Sequence, residues 1–196
     1  MGGDRGQAFP VYITVVAGLL FLAVAYFAFG QAAVSRNGVQ GAADAAALAA
    51  AYDTRDQLGE ALLDSVANPD DWKDLLNGHI VGLQDPCAAA RQFAESNGAD
   101  ALVCEVSPWP PQSVRVEVKA LDPVGDTVVP GTEGTFATAN ARALLEPRCV
   151  LTSESDAEGD PAPIELDCDG DSVTVDPEAG DSLPDLDIMF SVRLID

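Results

Sequence analysis

The chain has 196 residues, with 32 Asp or Glu against 10 Lys or Arg, a formal net charge of −22 and a pI near 4.1. That balance excludes nucleic acid as a partner, since binding phosphates takes a basic face, and it excludes a polybasic contact with anionic lipid headgroups. Apolar residues make up 47% of the chain, too many for an acidic polymer that stays disordered throughout, and the length allows one anchor with one or two small domains.

Residues 1–52 hold Asp4, Asp44, Arg5 and Arg36 and are neutral, so all of the −22 lies in residues 53–196, with 30 acids and 8 bases. Residues 1–9 read as a short cytoplasmic leader. No charged residue occurs between Arg5 and Arg36, and 11–29 is an uncharged, largely apolar run of 19 residues. At about 1.5 Å per residue it spans roughly 30 Å of hydrocarbon. Phe9, Tyr12, Tyr26 and Phe27 lie near its ends, where aromatic rings favour the lipid–water boundary. Residues 10–30 are therefore expected to be a transmembrane helix. A buried core helix fits poorly with a run this long at the extreme N-terminus. A cleaved secretory signal fits poorly with Asp4 beside Arg5 and with so long an apolar run.

Residues 31–66 lack Pro and are rich in Ala, the best helix former, so they extend the same helix out of the membrane. Val34, Gly38, Gly41, Ala45 and Leu48 fall near one stripe at spacings of three and four. Small side chains along such a stripe let another helix approach closely.

Residues 67–196 read as an acidic extracytoplasmic α+β domain with antiparallel strands. Asn68, Pro69, Asp70 and Asp71 mark a helix start, and Trp72, Leu75, Leu76, Ile80 and Leu83 give that segment an apolar face. Asp85 and Pro86 open a second helix over 87–97, with Gly98 suited to its left-handed cap. Strands are expected at 101–106 and 113–120, around the turn Pro108-Trp109-Pro110-Pro111. The second alternates Val114, Val116 and Val118 with Arg115, Glu117 and Lys119, so one face is buried and the other wet. Further strands are expected at 134–145 and 186–195, and acidic loops at 153–163 and 176–185.

Four cysteines allow three pairings. A helix climbing from Cys87 and a strand returning to Cys104 cover similar distances, which favours Cys87–Cys104 and leaves Cys149–Cys168. No C-x-x-C occurs and His79 is the sole histidine, so neither a zinc site nor a Ser–His or Cys–His nucleophile is expected. Asp167, Asp169 and Asp171 resemble the start of an oxygen-rich Ca²⁺ loop. However, the sixth position from Asp167 is Ser172 where such a loop has Gly, and the flanks 164–166 and 173–175 read as strands. A tight hairpin turning at Gly170, with no cofactor, is the expectation, and Ca²⁺ is its alternative.

Arg5-Gly6-Gln7-Ala8, the uncharged span to Phe29 and the run RNGVQGAADAAALAAA from Arg36 to Ala51 resemble the TadE/TadG-type proteins of Tad pilus assembly, in particular their TadG-like N-terminal segment. Segments 113–118 and 137–143 are loosely similar to strands of such proteins. The resemblance implies a single-pass, non-enzymatic, pilin-like or accessory protein of a Tad or Flp-type pilus or secretion system. Its N-terminus would be inside and its head outside. Its partners would be the membrane and other proteins of that system, with no small-molecule substrate. A pilin-like leader would be cut after Gly6, leaving Gln7 first. Pilins usually carry Glu at the fifth mature position, here Val11 preceded by Pro10, which favours an uncut accessory protein. The alternative reading is a membrane-tethered acidic module that binds the envelope with Ca²⁺.

Overall fold

Alanine and the absence of any interior Pro carry one helix, α1, from Ala8 to Asp64. Its 57 residues extend about 86 Å. Pro10 falls in the first turn, where its missing N–H costs no intrahelical bond. The Thr14 hydroxyl donates to the Pro10 carbonyl at 2.8 Å, so it needs no partner outside the helix. The computed structural model describes residues 8–65, 69–77, 83–108, 112–123, 134–152, 163–176 and 183–196.

Helix α2 is Pro69–Leu76 and α3 is Cys87–Ser96. Trp72 is fully buried and its Nε1 donates to the Leu62 carbonyl at 3.1 Å, tying α2 to the end of α1. Asn68, His79 and Ile80 lie outside the described residues. The Asp85 carboxylate accepts the Cys87 N–H at 3.0 Å, and Gly98 takes φ +72° just beyond α3, as its place after the helix predicts.

Among the described residues, seven strands form two antiparallel sheets. The larger has the order β1 (Ala99–Val106), β2 (Gln112–Ala120), β3 (Thr138–Pro147) and β7 (Phe190–Ile195). The smaller is β4 (Cys149–Leu151), β5 (Ile164–Cys168) and β6 (Asp171–Val175). Most boundaries fall within two residues of the sequence reading, and two differ by four. The strand expected at 134–145 is Thr138–Pro147: its register with β2 ends at Lys119 opposite Thr138, and beyond it the Ala120 N–H, at the end of β2, makes one more bond to the Ala137 carbonyl at 2.9 Å. The strand expected at 186–195 begins at Phe190, because Leu186–Met189 form one helical turn, α4. Asp185 caps that turn, its carboxylate accepting the Asp187 N–H and its carbonyl the Ile188 N–H at 2.8 Å. This local bonding outcompetes extension of the strand.

The core has two parts. In the first, α1 and α3 cover one face of the larger sheet. Ala42, Ala43, Ala46, Ala47, Ala50 and Ala51 of α1 pack there with Val114, Val116 and Val118. In the second, Leu58 and Leu62 of α1 meet Trp72, Ile164, Leu166, Met189 and Phe190 between the helices and the smaller sheet. The sequence sets 31–66 apart as an extension of the anchor, whereas the structure builds the head on residues 39–62 of that same helix. Disulfides Cys87–Cys104, joining α3 to β1, and Cys149–Cys168, joining β4 to β5, match the expected pairings.

Candidate functional site

A single helix serves two environments. From Phe9 to Gly30 no described residue of α1 is buried, and the outward side chains are large: Phe21 is 73% exposed, Tyr26 83% and Phe29 79%. An 18-residue window here has a mean hydropathy of 2.3. So long an unbroken apolar surface is unfavourable in water, while its length suits a bilayer. The segment is long and apolar enough to cross a membrane near the N-terminus, as the sequence led us to expect.

The head takes up one face of the helix and leaves another open. Val34 is 73% exposed, and at Gly38 and Gly41 nothing lies within 4 Å of where a Cβ would sit. Ala45 and Leu48 are half-buried on a groove between α1 and α3, beside Tyr52 and Phe93. The stripe of small residues thus runs beside the face that the sheet covers. It rises from the apolar run onto the head as one lane. The neighbouring alanine face, from Ala42 to Ala51, was not distinguished from this lane in the sequence, because alanine lies on both.

The three aspartates of the acidic segment have separate tasks. Asp167 accepts the Gly170 N–H at 2.7 Å and so closes the turn between β5 and β6. Asp169 and Gly170 both have positive φ, +55° and +95°, as a two-residue type I′ hairpin requires. The Asp169 carboxylate pairs with Arg148 Nε at 2.7 Å, and Asp171 opens β6. Among the described residues no three His, Cys, Asp or Glu side chains converge as a metal site would need.

Two arginines that the sequence did not single out join the elements. Arg148, between β3 and β4, also donates from Nη1 to the Asp187 carbonyl at 3.1 Å, and its backbone N–H bonds the Met189 carbonyl at 2.8 Å. It therefore ties the hairpin turn to α4. Arg55 of α1 pairs with Asp187 and lies over the Tyr52 ring, 4.7 Å from its centroid. Their partners are 21 and 132 positions away, beyond any local pattern. Gly6 and Gln7, the expected cleavage point, lie outside the described residues.

Compared with known families, residues 6–53 match the model of the Tad family, described as putative Flp pilus-assembly TadE/G-like. No curated protein and no solved structure matches the chain. The matched segment holds the apolar run, the open lane and the alanine face as far as Ala51, and stops short of both sheets.

Proposed function

We propose that this protein is a membrane-anchored, non-enzymatic component of a Tad or Flp-type pilus assembly or secretion system, pilin-like or accessory. The anchor crosses the membrane with its N-terminus inside, and the disulfide-bonded head stands outside. Its work is mechanical: the lane Val34, Gly38, Gly41, Ala45 and Leu48 packs against helices of neighbouring proteins of the system, and the head contacts them above the bilayer. The observation that carries this reading is the match over residues 6–53, coinciding with the apolar run and with Gly38 and Gly41, which the head leaves open. Glycines without neighbours permit backbone approach between helices, which is how helices associate in lipid.

The test is genetic and chemical together. Deleting the gene is expected to abolish surface pili and restoring it to bring them back; normal piliation after deletion overturns the proposal. The mass of the N-terminal peptide from native membranes then separates two forms of the role. A start at Gln7 identifies a processed subunit that enters a fibre, and a start at Met1 or Gly2 a permanently anchored accessory protein.

A further inference from the structure

One end of the larger sheet points back along α1 towards the apolar run. Gln40 Nε2 of α1 donates to the Asn140 carbonyl of β3 at 3.2 Å, which sets those two residues level. From Asn140 back to Phe136 the chain covers about 13 Å, and the same distance on a helix is about nine residues. Phe136 therefore comes near the level of Gly30, where the apolar run ends. The neighbouring strand agrees: Pro123, just past the end of β2, borders a gap of 840 Å³ against Tyr26, Phe27 and Gly30 of α1. The Leu121 N–H bonds the Gly98 carbonyl at 2.9 Å, so the backbone leading to Pro123 is held to the turn after α3.

This end carries an apolar rim. Leu121 is 53% exposed, Phe136 is 36% exposed, and Pro123 is exposed as well. They continue onto the head the uncovered surface that Tyr26, Phe27 and Phe29 form on α1. Lys119 Nζ stands over the Phe136 ring, 4.2 Å from its centroid. A ring beside a long cationic side chain suits the boundary between hydrocarbon and headgroups, because the ring enters the lipid while the ammonium reaches the phosphates. Asp100, opposite Lys119 on β1, and Asp122, beside Leu121, are both exposed and can stay in the aqueous layer. Contiguous apolar surface is unfavourable in water, and this rim faces the side from which the apolar run leaves the head.

We propose that the rim seats the head on the bilayer: Leu121, Pro123 and Phe136 enter the boundary between headgroups and acyl chains of the nearer leaflet, whose lipid fills the gap between Pro123 and α1. The inference rests on the reading of the apolar run as a membrane anchor, and adds that the head touches lipid instead of standing clear of it on its helix. Continuity with the anchor selects lipid as the occupant. A bilayer that covers the run as far as Phe29 brings its headgroups to Gly30, the level of the rim. Apolar surface set about 5–10 Å into that boundary binds by its buried area, and needs no polybasic face. Held both at α1 and at the rim, the head keeps one side towards the membrane.

The experiment places the photoreactive residue p-benzoylphenylalanine in the full chain, in place of Leu121, Phe136, Phe21 or Val150 in turn. Each chain is reconstituted into phosphatidylcholine vesicles and irradiated, and lipid adducts are read by mass spectrometry. Phe21 lies in the middle of the apolar run. Val150 is 63% exposed on β4, whose Cys149 packs in the cluster with Leu58 and Leu62, about 40 Å further along α1 than Gly30. We expect adducts at 21, 121 and 136 and none at 150. The two rim positions give independent readings, so a chain that fails to fold with one of them leaves the other to decide. Adducts at 21 with none at either 121 or 136 overturn the seat and leave the anchor standing; the gap then belongs to a helix of another protein. Adducts at none of the four positions overturn anchor and seat together. Adducts at 150 as abundant as those at 121 overturn the seat in favour of unspecific contact.

Discussion

Ala46 and Ala47 have no exposed surface where α1 meets the sheet, and it is their smallness that sets the distance between helix and strands. Extra carbon atoms at such a position have nowhere to go. Ala46→Leu is expected to cost about 1–3 kcal/mol by overpacking, read as a lower midpoint in denaturant titration of the detergent-solubilised chain. Gly41→Leu places the same side chain five residues earlier on another side of the helix, in open space, and gains helix propensity, so it should leave the midpoint unchanged or raise it. Equal losses at both positions would show that the two faces are not distinct. At this scale the sequence was readable where polarity alternates: Val114, Val116 and Val118 are all buried, as their spacing with Arg115 and Glu117 implies. It was not readable where alanine occupies every side of a helix, because a pattern needs contrast. Only the position of the sheet decides which alanines are inside.

Among the elements, the two disulfides hold together pieces with different needs. Cys87–Cys104 fixes the start of α3 to β1, and Cys149–Cys168 joins residues directly opposite on β4 and β5, with β4 only three residues long. In the chain-entropy account, closing a loop of either length stabilises by about 3 kcal/mol. The double variant Cys149→Ala with Cys168→Ala should lose about that much, measured by equilibrium unfolding without reductant. Both pairings were legible, because helix and strand lengths limit which sulfurs can meet. The hairpin around Gly170 was legible from its turn chemistry. The turn of α4 was not, because Leu186–Met189 is apolar enough for a strand and its cap, Asp185, is one acid among many.

The molecule as a whole is organised by α1, which links both parts of the core to the apolar run. Val39 through Ala51 supply the first cluster and Leu58 and Leu62 the second. A chain beginning at residue 67 therefore lacks one side of each core and should show no cooperative melt by near-ultraviolet circular dichroism. A chain beginning at residue 33 keeps both and should melt cooperatively and stay soluble without detergent. A cooperative melt of residues 67–196 alone would show that the helix is an appendage. The same arrangement joins the apolar run to the sheets through continuous helix rather than through a linker.

The sequence by itself determined the apolar run, the helix that continues it, the antiparallel strands, the pairing of the cysteines and the resemblance of the N-terminal segment to the Tad family. Each rests on local periodicity, on composition or on the short reach of a helix or strand. Tertiary structure alone decided which side of the alanine helix is buried and that the helix belongs to the head's core. It alone placed Arg148 and Arg55 as ties and set Arg142 opposite Arg115. Those features depend on residues brought together from distant positions, and a linear pattern carries no record of which distant charge or face will arrive.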